Sequence, residues 1–266
     1  MDSRLLSFFI FFTLSVNLVA KTVVISDIDD TIKISHVHSK IDSALNMFRS
    51  KVYFKGMPEL LALLSEQPDT KIFYLSNAPK WLMGSSHPRF IRASHFPAGK
   101  IILRSGLDRS HHKLIHMRQI INQESPDTVI LIGDNGESDP QYQSIIKQEF
   151  PAIDVHSFIH IAYDMHQGFR SKGAIPHDTT SYVTPVKLLH VLKEQHLVDQ
   201  ERASRLEEKL AQGILQERNT RSRKAHFIPS WLRCKNYTFD AQGASELIQR
   251  VARKVNRYCH RRLFRW

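Results

Sequence analysis

Asp27 and Asp29 stand two residues apart in Ser26-Asp27-Ile28-Asp29-Asp30-Thr31, directly after the apolar run 22–26. Two carboxylates at that spacing on a strand end can share one site, where one ionises and attacks while the other carries a proton. Alone, the pattern fits a solvated turn with an Asx cap equally well. Ser76 and Asn77 follow the run 71–75 in Leu75-Ser76-Asn77-Ala78-Pro79. A hydroxyl there can donate to a phosphoryl oxygen, though a plain helix N-cap accounts for it too. Lys113 falls in the first turn of a predicted helix, where the dipole prefers acids, so an anion nearby would compensate it. An ordinary surface lysine is the alternative. Asp134, Glu137 and Asp139 occupy a loop after the run 128–132. Together with Asp27 and Asp29 they form a hard-oxygen set that suits magnesium better than zinc or calcium.

These side chains need a scaffold that delivers them to one place. Between residues 22 and 164, strand patterns at 22–26, 71–75, 100–103, 128–132 and 155–161 alternate with helical patterns at 40–49, 58–66, 88–94, 111–123 and 139–149. Near-continuous apolar strands separated by helices predict an α/β fold, a doubly wound, Rossmann-like parallel sheet. Such sheets bind ligands beyond the carboxyl ends of their strands. Every motif named above sits at such an end or at the helix beside it. Each is ambiguous singly, and the ordered combination is specific. Residues 166–185 read as a loop, followed by helical patterns at 186–197, 199–217 and about 243–264. The expected organisation is a targeting segment 1–20, an α/β domain 21–175 and a helical extension 176–266 with a basic tail.

The Asp-x-Asp-x-Thr strand end, Ser76, Lys113 and the Gly-Asp-x-x-x-x-Asp loop resemble the four motifs of the haloacid dehalogenase superfamily. DIDDTIK (27–33), FYLSNAP (73–79), HKLIHMRQII (112–121) and LIGDNGESDPQYQSII (131–146) are similar to the catalytic domain of the actin-patch type phosphatidate phosphatases, distant relatives of the lipins. The resemblance runs from about Thr22 to Tyr163. It implies that Asp27 attacks phosphorus to form an aspartyl-phosphate, and that Asp29 protonates the leaving alcohol and then deprotonates water. Thr31, Ser76 and Asn77 would hold phosphoryl oxygens, with Lys113 neutralising charge on Asp27 and the phosphate. Magnesium would bind Asp27, the backbone carbonyl of Asp29, Asp134 and Asp139, with Glu137 competing for the last role. Inert lipid-transfer relatives lack part of the motif, whereas this chain keeps both Asp27 and Asp29. The insert 32–70, which contains Phe48, Tyr53 and Phe54, is too short for a large cap and leaves room for a bulky substrate.

The remaining signals concern location and partners. Of 266 residues 42% are hydrophobic, with 10 Gly and 2 Cys, which excludes a disordered chain, a collagen-like fibre and a disulfide scaffold. Residues 1–20 read as a cleaved export signal ending near Ala20, with an uncleaved anchor or a buried helix as alternatives. Export would be to a periplasm or outside the cell. Cys234 and Cys259 then either pair or stay free. From Arg218 to Trp266 there are 13 Lys and Arg against two acids, Asp240 and Glu246, while the rest carries 24 of each sign. In the last helix Leu247, Ile248, Val251, Val255, Tyr258 and Cys259 form an apolar stripe, with Arg250, Arg253, Lys254, Arg257 and Arg261 mostly off it. That helix rests on an anionic membrane surface or docks its stripe on the domain. Nucleic-acid binding has no module signature beyond charge. Among 15 histidines, His36 and His38 form a His-x-His pair and His111 and His112 sit beside Lys113, but no third and fourth ligand follows at zinc-like spacing.

The expected protein is an exported magnesium-dependent phosphatase acting on phosphatidate or a related phospholipid phosphate. A phosphatase of small soluble phosphomonoesters and a non-catalytic lipid-phosphate-binding module are the competing readings.

Overall fold

In the computed structural model, residues 20–35, 51–106, 111–164, 175–218 and 225–261 are described. The apolar runs of the sequence are strands, most of them with alternate side chains entering two separate cores. In β1 (Thr22–Asp27), Val23 and Ile25 face one core and Val24 the other. In β2 (Thr70–Pro79), Phe73 and Leu75 oppose Ile72 and Tyr74 in the same way. With β3 (Lys100–Arg104), β4 (Thr128–Asp134), β5 (Asp154–His160) and β6 (Thr180–Tyr182), they form one six-stranded sheet in the order β3-β2-β1-β4-β5-β6. Every strand pair is parallel. Burial on both faces is why no polar alternation shows in the strands.

The described helices are α1 (Met57–Ser65), α2 (Lys80–Met83), α3 (Ser86–Ala93), α4 (His112–Glu124), α5 (Asp139–Glu149), α6 (Pro185–Glu194), α7 (Gln200–Gln216) and α8 (Glu246–Arg261). On one face α4 contributes Leu114, Met117, Ile120 and Ile121, and α5 contributes Tyr142 and Ile146. On the other, α1, α3, α6, α7 and α8 share a single larger cluster. The doubly wound sheet is thus as expected, with helix ends shifted by a few residues. The expected helix 40–49, Phe48, the histidines at 36 and 38 and the targeting segment up to residue 19 lie outside the described residues.

The loop expected over 166–185 contains a sixth strand. β6 pairs with β5 in the register Phe158↔Thr180, Ile159↔Ser181 and His160↔Tyr182. Its three residues, Thr-Ser-Tyr, are too few and too polar to show a strand period. The expected boundary at 175/176 falls just before this strand. Ile130 and Phe158 on one side of it share their apolar cluster with Val186, Leu189, Leu210 and Val251 on the other.

Cys234 and Cys259 are disulfide-bonded and buried, tying α8 to the loop that precedes it. Closing a loop of sequence separation 25 stabilises by about 3 kcal/mol in the chain-entropy model. Reduction is therefore expected to lower the urea midpoint correspondingly, and an unchanged midpoint would deny the bond that role. The stripe of α8 is docked: Ile248, Val251, Val255 and Cys259 are buried, and Leu247 and Tyr258 pack partly against them. Lys254 Nζ donates to the carbonyls of Ile214, Leu215 and Glu217 at 2.7, 3.0 and 2.9 Å, capping the end of α7. Arg250, Arg253 and Arg257 stay exposed, together with His260. Among the described residues no helix is long and apolar enough to cross a membrane.

Candidate active site

In this strand order β1 and β4 are neighbours at the point where the chain reverses its winding, and a crevice opens beyond their carboxyl ends. Asp27 ends β1 and Asp134 ends β4. The first turn of α4 delivers Lys113, which is 1% exposed, into the same crevice. Its Nζ lies 2.7 Å from Asp27 Oδ1, 2.8 Å from Asp139 Oδ1, 2.9 Å from Asp139 Oδ2 and 3.1 Å from Glu137 Oε2. The other oxygen of Asp27 accepts from Thr31 Oγ1 at 3.0 Å. A lysine at the positive end of its helix is thus compensated by three carboxylates, the anionic surroundings its position asked for.

Asp29 points to the other side of the crevice. Its Oδ1 accepts from Ser35 Oγ at 2.6 Å, and its Oδ2 from Ser76 Oγ at 3.1 Å. His87 Nε2 lies 3.2 Å from the same Oδ2. Burial works to raise the Asp29 carboxyl, but His87, Lys33 and the Ser35 hydroxyl outweigh it and hold the group far below the usual carboxylate range. Ser76 also accepts from the Ala78 backbone N–H at 3.0 Å. The Asn77 side chain donates to Glu137 Oε2 at 2.8 Å, which ties the end of β2 to the loop after β4.

Asp27, Asp134 and Asp139 can each offer one carboxylate oxygen, all within 4.8 Å of one another. Asp139, not Glu137, belongs to this group, and the Asp29 carboxylate lies outside it. Burial pushes Asp134 up, and Asp139 and Asp27 push it further. Burial likewise raises Asp27 and Asp139, with Lys113 opposing it in both. Four acids, Asp27, Asp134, Glu137 and Asp139, around the one ammonium of Lys113 leave negative charge uncompensated in the crevice. The donor set is all oxygen and suits a hard divalent cation, so this site fits a metal.

The loops around the crevice are braced from below. Gly133 is needed because a Cβ there would meet Asp139 Oδ2 at 2.5 Å. Asp30 adopts φ 58°, a left-handed conformation that Asp tolerates, and its carboxylate accepts from Tyr163 Oη and from the Ser35 N–H. His160 Nδ1 donates to the Asp30 carbonyl at 2.7 Å. Asn135 Oδ1 accepts from the N–H groups of Ala162 and Tyr163. The turns after β1 and β4 are therefore both tied to the end of β5.

Burial pushes the His160 imidazole down to about 4, below the unfolded value of about 6.5. On acidification the unfolded chain takes up this proton first. His160's contribution to stability is then full above about pH 6.5 and is lost as pH falls toward 4, a change of about 3 kcal/mol. Urea titrations at pH 7 and pH 4.5 are expected to show the loss. His160→Asn, which keeps a donor but does not titrate, is expected to show a shallower one.

Asp27, Asp29, Thr31, Ser76, Asn77, Lys113, Asp134 and Asp139 are thus all brought to one crevice. His87 and Ser35 belong to it as well. Nothing in the sequence marks them, since His87 is one of fifteen histidines and lies one residue before the expected helix 88–94.

An all-parallel sheet in this order, with paired acids after its first strand, a hydroxyl after its second and a helix-borne lysine facing an acidic loop, is the arrangement that the resemblance to the haloacid dehalogenase superfamily implied. Residues 22–159, just over half the chain, match the model of the family described as "Phosphatidate phosphatase APP1, catalytic domain". The chain belongs to that family and is a phosphatase of the phosphoric monoester hydrolase type. Among solved structures, a haloacid dehalogenase-like hydrolase from Burkholderia xenovorans LB400 is similar with 9% identity and a TM-score of 0.39, covering 62% of this chain and 93% of that one. No curated protein matches the chain.

Proposed function

We propose that the protein is an exported, magnesium-dependent phosphatidate phosphatase that yields diacylglycerol and phosphate through an aspartyl-phosphate. The observation that carries this reading is Asp27. One of its oxygens is held by Lys113 and the other by Thr31, in a crevice whose residues lie within the segment that matches the phosphatidate phosphatase family. Asp27 attacks phosphorus, forming a carboxylate O–P bond as the P–O bond to the glycerol oxygen breaks. Asp29 supplies the proton that the departing alkoxide needs, then accepts a proton from the water that hydrolyses the intermediate. Asp29 is held ionised here, the form that serves the second step. A phosphate dianion beside it favours the proton uptake that the first step requires. Thr31, Ser76 and Lys113 steady the phosphoryl oxygens as their charge redistributes. Magnesium would be held by Asp27, Asp134, Asp139 and the Asp29 carbonyl, and would supply charge neutralisation at the phosphoryl group.

Other features support the location and the substrate class. A buried disulfide suits an oxidising compartment, in keeping with a targeting segment over residues 1–20. Trp81, 81% exposed and four residues beyond Asn77, is the kind of side chain that settles at a lipid interface. Arg250, Arg253 and Arg257 would add electrostatic attraction to anionic lipid of about 1 kcal/mol each.

The test is phosphate release from phosphatidate in mixed micelles, with magnesium and with chelator, beside a soluble alkyl phosphate. Release from micelles that chelator abolishes and magnesium restores is expected. Release from the soluble ester alone would make the protein a small-molecule phosphatase. Binding to phosphatidate vesicles without release from either would make it a lipid-phosphate-binding module.

A further inference from the structure

We infer that His87 is a positioning residue for Asp29, setting the orientation in which that carboxylate transfers protons; the inference rests on the phosphatase reading above. His87 stands in the first turn of α3, outside every motif that carries the catalytic groups. Its side chain is fully buried, and its Nε2 lies 3.2 Å from Asp29 Oδ2. A carboxylate oxygen accepts, so Nε2 donates. The other ring nitrogen, Nδ1, is buried and has no hydrogen-bond partner among the described residues.

That last feature separates a functional histidine from a space-filling one. A buried imidazole with one nitrogen unsatisfied costs stability that an apolar side chain of similar size would not. The contact its other nitrogen makes is with the proton-transfer carboxylate. Asp29 is then gripped from three separate segments: by Ser35 on one oxygen, and by Ser76 at the end of β2 and His87 on α3 on the other. Ser35 alone would leave the carboxylate free to swing about its Oδ1 bond, and the single hydroxyl proton with which Ser76 holds Oδ2 is the one it would turn to a phosphoryl oxygen of the substrate. A second donor on Oδ2, rooted in a helix, fixes the plane of the group. Proton transfer to a leaving oxygen depends steeply on that placement.

The leaving group offers a readout that a merely structural role would not move. An alkyl phosphate expels an alkoxide that needs the Asp29 proton. 4-Nitrophenyl phosphate expels a phenolate that leaves unprotonated. The constant kcat/KM covers events only through departure of the alcohol, so it isolates this step. His87→Leu is expected to lower kcat/KM for a soluble alkyl phosphate about 100-fold and to change that for 4-nitrophenyl phosphate little. Slower hydrolysis of the intermediate is expected to leave a burst of nitrophenolate. His87→Gln, whose amide reaches as far as Nε2, is expected to restore most of the alkyl activity. His87→Asn, too short to reach, is expected to behave like the leucine variant. The comparison of Gln with Asn decides the matter even if the leucine variant folds poorly.

Equal losses on both substrates in a folded variant, or no loss on the alkyl ester, would overturn the inference and leave the phosphatase reading intact. Wild-type protein that releases phosphate from neither compound, nor from phosphatidate in mixed micelles, would sink the phosphatase reading, and the inference with it.

Discussion

Asp27→Asn is expected to abolish phosphate release, by about 10⁴-fold or more, while leaving the fold at least as stable as the wild type. The amide keeps the shape of the carboxyl and can still accept from Thr31, but it has no anionic oxygen to attack phosphorus. Its effect on stability has the opposite sign to its effect on activity. Burial raises the Asp27 carboxyl, and Asp139, Glu137 and Asp29 add to that. An acid whose folded pKa is raised adds stability at low pH and loses it as pH rises through the folded value. At neutral pH without metal, Asp27 therefore opposes folding, and removing its charge relieves that opposition. Initial rates and urea midpoints on the same preparation check both halves. An active Asp27→Asn protein would rule out the covalent intermediate. An inactive variant with a lowered midpoint would show that the charge cluster is better compensated than the geometry indicates.

The second large effect is expected at Lys113, where activity and stability fall together. Methionine there would fill similar space while removing the ammonium shared by Asp27, Glu137 and Asp139. Taking one partner from a buried ionic group costs about 3–5 kcal/mol, because the remaining charges stay buried and unpaired. Those charges are acids, so acidification that protonates them is expected to recover part of the loss. Magnesium at neutral pH should raise the melting temperature of Lys113→Met more than that of the wild type. Phosphate release should drop at least about 1000-fold, since the ammonium also faces the phosphoryl group. A variant with wild-type melting behaviour in chelator would show that Lys113 does not compensate the cluster.

How far the sequence alone reached depended on whether a residue's neighbours in the chain announce its role. Asp27, Ser76 and Asp134 close apolar runs that could only be buried strands, so a strand end and a carboxylate or hydroxyl were legible together. The two-sided core was legible for the same reason, since 71–75 and 128–132 contain no polar alternation. Lys113 carried a weaker signal, its misplacement against the helix dipole. β6 was not legible, because three polar residues become a strand only when β5 offers them an edge to pair with. His87 and Ser35 were silent as well. They matter because of their distance from Asp29 in space, and no periodicity encodes that. The stripe on α8 was visible, but whether it faced lipid or protein was decided by α7, against which it packs.

The match to the phosphatidate phosphatase family stops at residue 159, and the fold does not. Every acid, hydroxyl and lysine assigned a catalytic, phosphate-binding or metal-binding role lies before residue 140, while β6 and the helices after it cover what β5 and its neighbours would otherwise show to solvent. A chain shortened to the matched segment would keep the catalytic side chains and lose that cover, together with the braces that His160 and Tyr163 give to Asp30. The backbone groups of β5 would form an open edge, beside uncovered Ile130, Phe158 and Ile159, ready to pair with another copy. Such a fragment is expected to fail by self-association, so its inactivity would say nothing about the catalytic residues it retains. The stretch of chain beyond residue 175 is, in this sense, the protein's safeguard against its own sheet.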